Sequence, residues 1–95
     1  MGLQQEWWRM TLDEIQAWLY QLLSRKKSIP GAHFEEKLKV NIFEKGIIDS
    51  LGLIQLVGSV EKQFHLELTS NDLQDERFQT IEGIANIIVE ASSRL

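Results

Sequence analysis

Three stretches of the chain repeat apolar residues at helical spacing. The first, "TLDEIQAWLYQLLS" at residues 11–24, sets Leu12, Ile15, Leu19 and Leu22 on one face with Trp18 beside them. Thr11 and Glu14 have the spacing of a capping box, so the helix is predicted to begin there. The second is predicted over residues 50–64, with Asp49 placed to cap its free N–H groups. The third, "TIEGIANIIVEASS", opens on Thr80 as an N-cap and puts Ile81, Ile84, Ala85 and Ile88 on one face. Gly83, inside it, should cost about 1 kcal/mol relative to alanine. Ahead of that helix, "HLELTSNDL" turns polar, and Ser70 or Asn71 can start a brief helical turn through Leu73. Between the first two helices, "RKKSIPGAHFEEKLKVN" holds the chain's only proline beside Gly31 and then mixed charges without a period. It reads as a long connecting loop with room for one helical turn. No alternating run predicts a strand, so the fold class is all-α: a small bundle of three longer helices plus one short helix.

The second helix carries two apolar stripes. At 100° per residue, Leu53, Leu56, Val57, Val60 and Phe64 form one band, which is the predicted core face. Leu51, Ile54 and Gly58 fall on another side, where a monomeric bundle normally presents polar residues. That side is either a second buried surface or a face for partners.

Composition narrows the function. A chain of 95 residues with 43% hydrophobic content fits one compact domain. Residues 1–10 read as an N-terminal extension and residues 11–93 as the domain. Trp7 and Trp8 are adjacent and cannot both face one side of a helix; one is expected on the core, the other on a loop or a partner. With no cysteine and only His33 and His65, no metal site is expected. The net charge of −4 disfavours nucleic acid, and the single basic run, Arg25-Lys26-Lys27, reads as a complement to the carbonyl end of the first helix. No stretch approaches the roughly 20 apolar residues of a membrane span. Residues 1–6 lack the basic start of a signal peptide, so a cytoplasmic monomer is the expectation. His65, Glu67 and Ser70 are close in sequence but straddle a helix end and a turn, so no catalytic site is read from them.

The candidate chemistry sits at Asp49-Ser50-Leu51. An Asp-Ser pair before a helix ordinarily does no more than start it. A helix N-terminus, however, presents free N–H groups and a positive dipole end to a phosphate bonded there, and a serine hydroxyl suits a phosphodiester.

At these residues the chain resembles the acyl carrier proteins, which bear a 4'-phosphopantetheine arm on the serine of a D-S-L motif. The resemblance spans roughly residues 11 to 93: the first helix, a loop ending in "IFEKGIIDSLGLIQLV", then "EKQFHLEL", an "NDL" turn, and "FQTIEGIANII" opening the last helix. It implies that Ser50 bears the arm and that Asp49 is the acidic residue before it. It also implies that Leu51 and Ile54, flanked by Gln55 and Gly58, face partner enzymes. A holo-carrier-protein synthase (a phosphopantetheinyl transferase) would attach the arm from coenzyme A, and acyl-transfer or acyl-loading enzymes would use its thiol to hold thioesters. An apolar cargo would have a route between the helices towards Leu56, Leu73 and Phe78.

The chain departs from fatty-acid carriers along the second helix. Gly52 and Gln55 stand where those carriers often have acids, and Gly58 stands where an apolar residue, commonly methionine, is found. Gly52 and Gln55 are similar to D-alanyl carrier proteins and some peptide-synthetase carrier domains. The expectation is therefore a stand-alone carrier, not an enzyme, serving fatty-acid, polyketide or another specialised acyl pathway. An aminoacyl or D-alanyl carrier is the alternative, and a helical interaction module without the prosthetic group is the rival.

Overall fold

The protein is described as a computed structural model over residues 10–94; Trp7 and Trp8, with the expectations attached to them, lie outside the described residues. Helix α1 (Leu12–Ser24) starts where the capping box predicts: the Thr11 hydroxyl accepts from the Glu14 N–H at 3.2 Å, and the Glu14 carboxylate accepts from the Thr11 N–H at 2.8 Å. Its buried face is Ile15, Leu19 and Leu23. Leu12 is exposed and Leu22 half-buried, so the predicted stripe is turned at both ends.

The long connection is more ordered than a loop. It contains helix α2 (Phe34–Leu38), whose Glu36 carboxylate accepts from the Ala32 N–H at 2.7 Å and the His33 N–H at 3.2 Å. Ile29, Leu38, Ile42, Ile47 and Ile48 are all buried, each worth about 1.5–3 kcal/mol against exposure. The last part is also pinned by polar contacts. Asn41 Oδ1 accepts from the Phe43 and Glu44 N–H groups, and the Ile42 N–H donates to Gln79 O at 2.9 Å. Gly46 takes φ +70°, a conformation glycine adopts at no steric cost.

Helix α3 (Ser50–Phe64) and helix α5 (Ile81–Ser92) match the predicted second and third long helices. Between them, helix α4 (Ser70–Gln74) is capped by Thr69, not by Ser70 or Asn71: its hydroxyl accepts from the Asp72 N–H at 3.1 Å, and Asp72 accepts from the Thr69 N–H at 2.8 Å. A 3₁₀ turn (Glu76–Gln79) follows and buries Phe78. No strand occurs among the described residues.

Helix α5 packs on α1, on α2 and on the 3₁₀ turn. Ile81, Gly83, Ile84, Ala85, Ile87, Ile88 and Ala91 are buried, which covers most of its circumference. Gly83 corrects a sequence expectation. A Cβ there would fall on the Arg77 carbonyl oxygen and within 2.8 Å of Arg77 Cα, so alanine cannot be accommodated without moving the 3₁₀ backbone. Glycine is the residue this contact requires, and its helix-propensity cost is outweighed. The same turn is tied to α5 by Arg77, whose guanidinium donates to Glu90 at 2.7 and 3.0 Å and to Asp75 at 3.0 and 3.2 Å. Arg94 closes α4 onto the chain end through Asp72, at 2.7 Å.

Candidate functional site

Asp49 and Ser50 divide the work of starting α3. Asp49 is the N-cap, and its Oδ1 accepts from the Gly52 N–H at 2.8 Å, while the Leu53 N–H donates to Asp49 O at 2.8 Å. Ser50 is the first helical residue and is exposed. Its hydroxyl is not needed for capping. The bland reading of the Asp-Ser pair is therefore satisfied by Asp49 alone, and Ser50 stands at the positive end of a fifteen-residue helix with its side chain open to solvent. An exposed hydroxyl beside the free N–H groups of a first turn can carry a phosphodiester, whose charge those donors favour.

Gly52 owes its place to this geometry. A Cβ there would lie 2.7 Å from Ile48 Cγ1 and 3.2 Å from Asp49 Oδ1. Because Ile48 is buried, it cannot swing away freely. The missing acid at this position thus has a steric cause: the first turn of α3 is packed against the residue that anchors the loop before it.

The two stripes of α3 separate as the spacing predicts. Leu56, Val60 and Phe64 are buried, and Leu53 and Val57 are half-buried against the core. Trp18 of α1 meets Phe64 edge to face, with ring centroids 5.2 Å apart. On the other side Leu51 is 63% and Ile54 69% exposed, the most exposed large apolar side chains among the described residues. Gln55 and Gly58 are exposed too, and nothing lies within 4 Å of the point where Gly58 would carry a Cβ.

A half-open hollow of about 570 Å³ lies between the end of α1, the loop and α3. Leu22, Leu23, Ile47, Ile48 and Leu56 give it an apolar floor, and Lys26, Lys27, Asp49 and Gln55 are among its polar lining residues. Lys26 Nζ donates to Gln55 Oε1 at 2.9 Å. The basic run therefore has a role beyond the one its position suggests. The last turn of α1 holds no basic residue, Arg25 is its C-cap, Lys26 reaches across to Gln55 of α3, and Lys27 lines the hollow with its Nζ beside Gly46 of the loop. A run of three cations after a helix looks the same in sequence whether or not another helix passes beside it.

The expected apolar route towards Leu56, Leu73 and Phe78 is not one cavity. Leu56 lines the hollow beside Asp49, whereas Leu73 and Phe78 line another, with Asn41, Glu44, Gln74, Asp75 and Gln79 around them. His33 and His65 are also apart, as the residue before α2 and the left-handed C-cap of α3. No described helix is long and apolar enough to cross a membrane.

The family described as "Phosphopantetheine attachment site" matches residues 17–88. D-alanyl carrier protein 1 of Lactiplantibacillus plantarum is 28% identical over 71 residues, which cover 75% of this chain and 85% of the relative. The D-alanyl carrier protein of Lactococcus lactis subsp. cremoris is 33% identical over 57 residues, covering 60% and 72%. No solved structure matches. With the match spanning α1 to α5 and a D-S-L motif at the exposed start of α3, the chain belongs to the phosphopantetheine-attachment family: it is a carrier protein with a covalent 4'-phosphopantetheine cofactor, not an enzyme.

Proposed function

We propose that Ser50 bears the 4'-phosphopantetheine and that the cargo is a small aminoacyl group of the D-alanyl kind. The observation that carries the attachment site is the division of labour at the α3 N-terminus: Asp49 caps, and Ser50 is left exposed. A phosphopantetheinyl transferase would move the arm from coenzyme A to Ser50. The serine oxygen loses its proton and attacks the pantetheine-side phosphorus while the pyrophosphate bond breaks and adenosine 3',5'-bisphosphate leaves. The first-turn N–H groups of α3 stabilise the phosphodiester charge. The arm supplies a terminal thiol on which a carboxylic acid travels as a thioester. The chain's own part is to hold that attachment point rigid, through Asp49 on the helix and the buried Ile47 and Ile48 on the loop, and to offer enzymes a face made of Leu51, Ile54, Gln55 and Gly58.

Two observations favour an aminoacyl cargo over a long acyl chain. The relatives named above are D-alanyl carriers. In addition, Leu56 lines one hollow and the Leu73–Phe78 pair another. The attachment test is Ser50→Ala: intact mass after treatment with a competent transferase and coenzyme A should show no added arm, while circular dichroism remains unchanged because Asp49 still caps α3. A mutant that gains the arm would place attachment elsewhere. For cargo, holo protein with D-alanine, ATP and an adenylating ligase should gain one alanyl mass; acquisition of a fatty-acyl group alone would restore the lipid pathway reading.

A further inference from the structure

We propose that the exposed face of α3 docks a partner protein whose contact surface sets carboxylates around an apolar recess. The proposal rests on the reading of that face as the one presented to enzymes. Leu51, Ile54, Gln55, Gly58 and Lys62 follow one another at helical intervals and are all exposed. Their centre is apolar, at Leu51 and Ile54, and beside it Gly58 leaves space that a partner side chain can enter.

The border of this face is basic. Lys26 is held against Gln55 at 2.9 Å, Lys27 lines the same hollow as Leu51 and Gln55, and Lys62 ends the stripe. Between Asp49 and Glu61 α3 has no acid. Both carboxylates are hydrogen-bonded to the backbone, Asp49 accepting from the Gly52 N–H at 2.8 Å and Glu61 from the Leu68 N–H at 2.9 Å; Asp49 stays exposed, so one acid faces the three lysines. The face thus opposes the net charge of −4 that the whole chain carries. Asp75, Glu90 and Asp72 are engaged elsewhere, in the Arg77 and Arg94 pairs. Complementary charge steers encounter and excludes partners of like charge, so three lysines around an apolar centre select an acidic rim and reject a basic one. The same lysines oppose self-association through this face.

The test uses the full chain without its arm and a purified phosphopantetheinyl transferase in two forms. One has Lys and Arg around its carrier-docking recess; in the other those residues are changed to Glu. At about 50 mM salt the acidic form should bind about tenfold more tightly by calorimetry, and at about 500 mM the difference should largely disappear. Lys26→Glu with Lys27→Glu and Lys62→Glu should invert the preference. The double variant Lys27→Glu with Lys62→Glu, which retains the Lys26–Gln55 bond, should weaken it, with circular dichroism reporting the fold of both. Tighter binding to the basic form at low salt, a preference unmoved by the substitutions, or lysine-dependent binding to phosphatidylglycerol vesicles in place of the transferase would overturn the proposal. Mass measurement of the same samples separates the two levels. Arm transfer to Ser50 without charge preference removes this inference alone, whereas no transfer to Ser50 by either form removes the attachment reading with it.

Discussion

Helices α3 and α5 begin alike and end up in opposite environments. Each is started by a side-chain oxygen that accepts from the N–H three residues on, Asp49 to Gly52 and Thr80 to Gly83. In both, that third residue is a glycine because the preceding segment folds back on the first turn: Ile48 against Gly52, and the Arg77 backbone against Gly83. From there α5 is enclosed by α1, α2 and the 3₁₀ turn, while α3 buries only Leu56, Val60 and Phe64 fully and leaves Leu51 and Ile54 in solvent. One helix is buried over most of its surface, with only Val89 and Glu90 exposed to solvent. The other is a scaffold on one side and a presented surface on the other, with Ser50 at its tip.

The sharpest way to break that contrast is within α3 itself. Leu56→Ala removes a side chain only 3% exposed and should cost about 2–5 kcal/mol, read as a large fall in melting temperature. Ile54→Ala, on the open side, should stay within about 0.5 kcal/mol of the parent yet slow arm transfer or loading. An Ile54→Ala protein as unstable as Leu56→Ala, with normal transfer, would erase the distinction between the faces.

Glycines give the next test, with opposite signs. Gly83→Ala pushes a methyl group into the Arg77 backbone and should destabilise by about 3 kcal/mol, since overpacking against main chain has no side chain to rotate away. Gly58→Ala meets open space in mid-helix and should stabilise by about 0.5–1 kcal/mol. Paired thermal melts of the two variants decide it; equal effects would mean that α3 and α5 are not differently enclosed.

The smallest effect is expected at the ion pairs of the α4–α5 end. The Arg94 guanidinium, bonded to Asp72, holds that carboxyl below its usual range, and Thr69 adds to this while burial opposes it. Arg77 does the same for Asp75 and Glu90. A carboxyl lowered in the folded state stabilises the fold above its unfolded value of about 4, and that contribution is lost as pH falls through the lowered folded value. Arg94→Gln should therefore melt below the parent at pH 7, and the gap should close as pH drops under about 4. Among the described residues no such pair lies at the Ser50 end, so the dependence of transfer rate on Arg94 should be slight.

How much could be read from the chain follows from the range of the forces involved. Helices α1, α3 and α5, their caps at Thr11, Asp49 and Thr80, and the two faces of α3 are local matters: the hydroxyl or carboxylate and the N–H it serves are three residues apart, and the period is written in consecutive residues. The D-S-L motif is likewise local, so the candidate attachment point was legible. The place of the helical turn foreseen in the loop was not, because its five residues are too few to establish a period and are fixed by burial of Leu38 and by Glu36 reaching back to Ala32 and His33. Neither was the meaning of three residues whose neighbours come from elsewhere in the chain. Gly83 reads as a weak helix residue until the Arg77 carbonyl is set against it. Lys26 and Lys27 read as helix-end cations until α3 brings Gln55 within 2.9 Å of Lys26. The sequence by itself determined which segments coil, where they start and which serine is the candidate for attachment. Tertiary structure alone decided which glycines are obligatory and what charge surrounds that serine's helix, because steric exclusion and charge proximity depend on distance in space, and the chain order does not contain it.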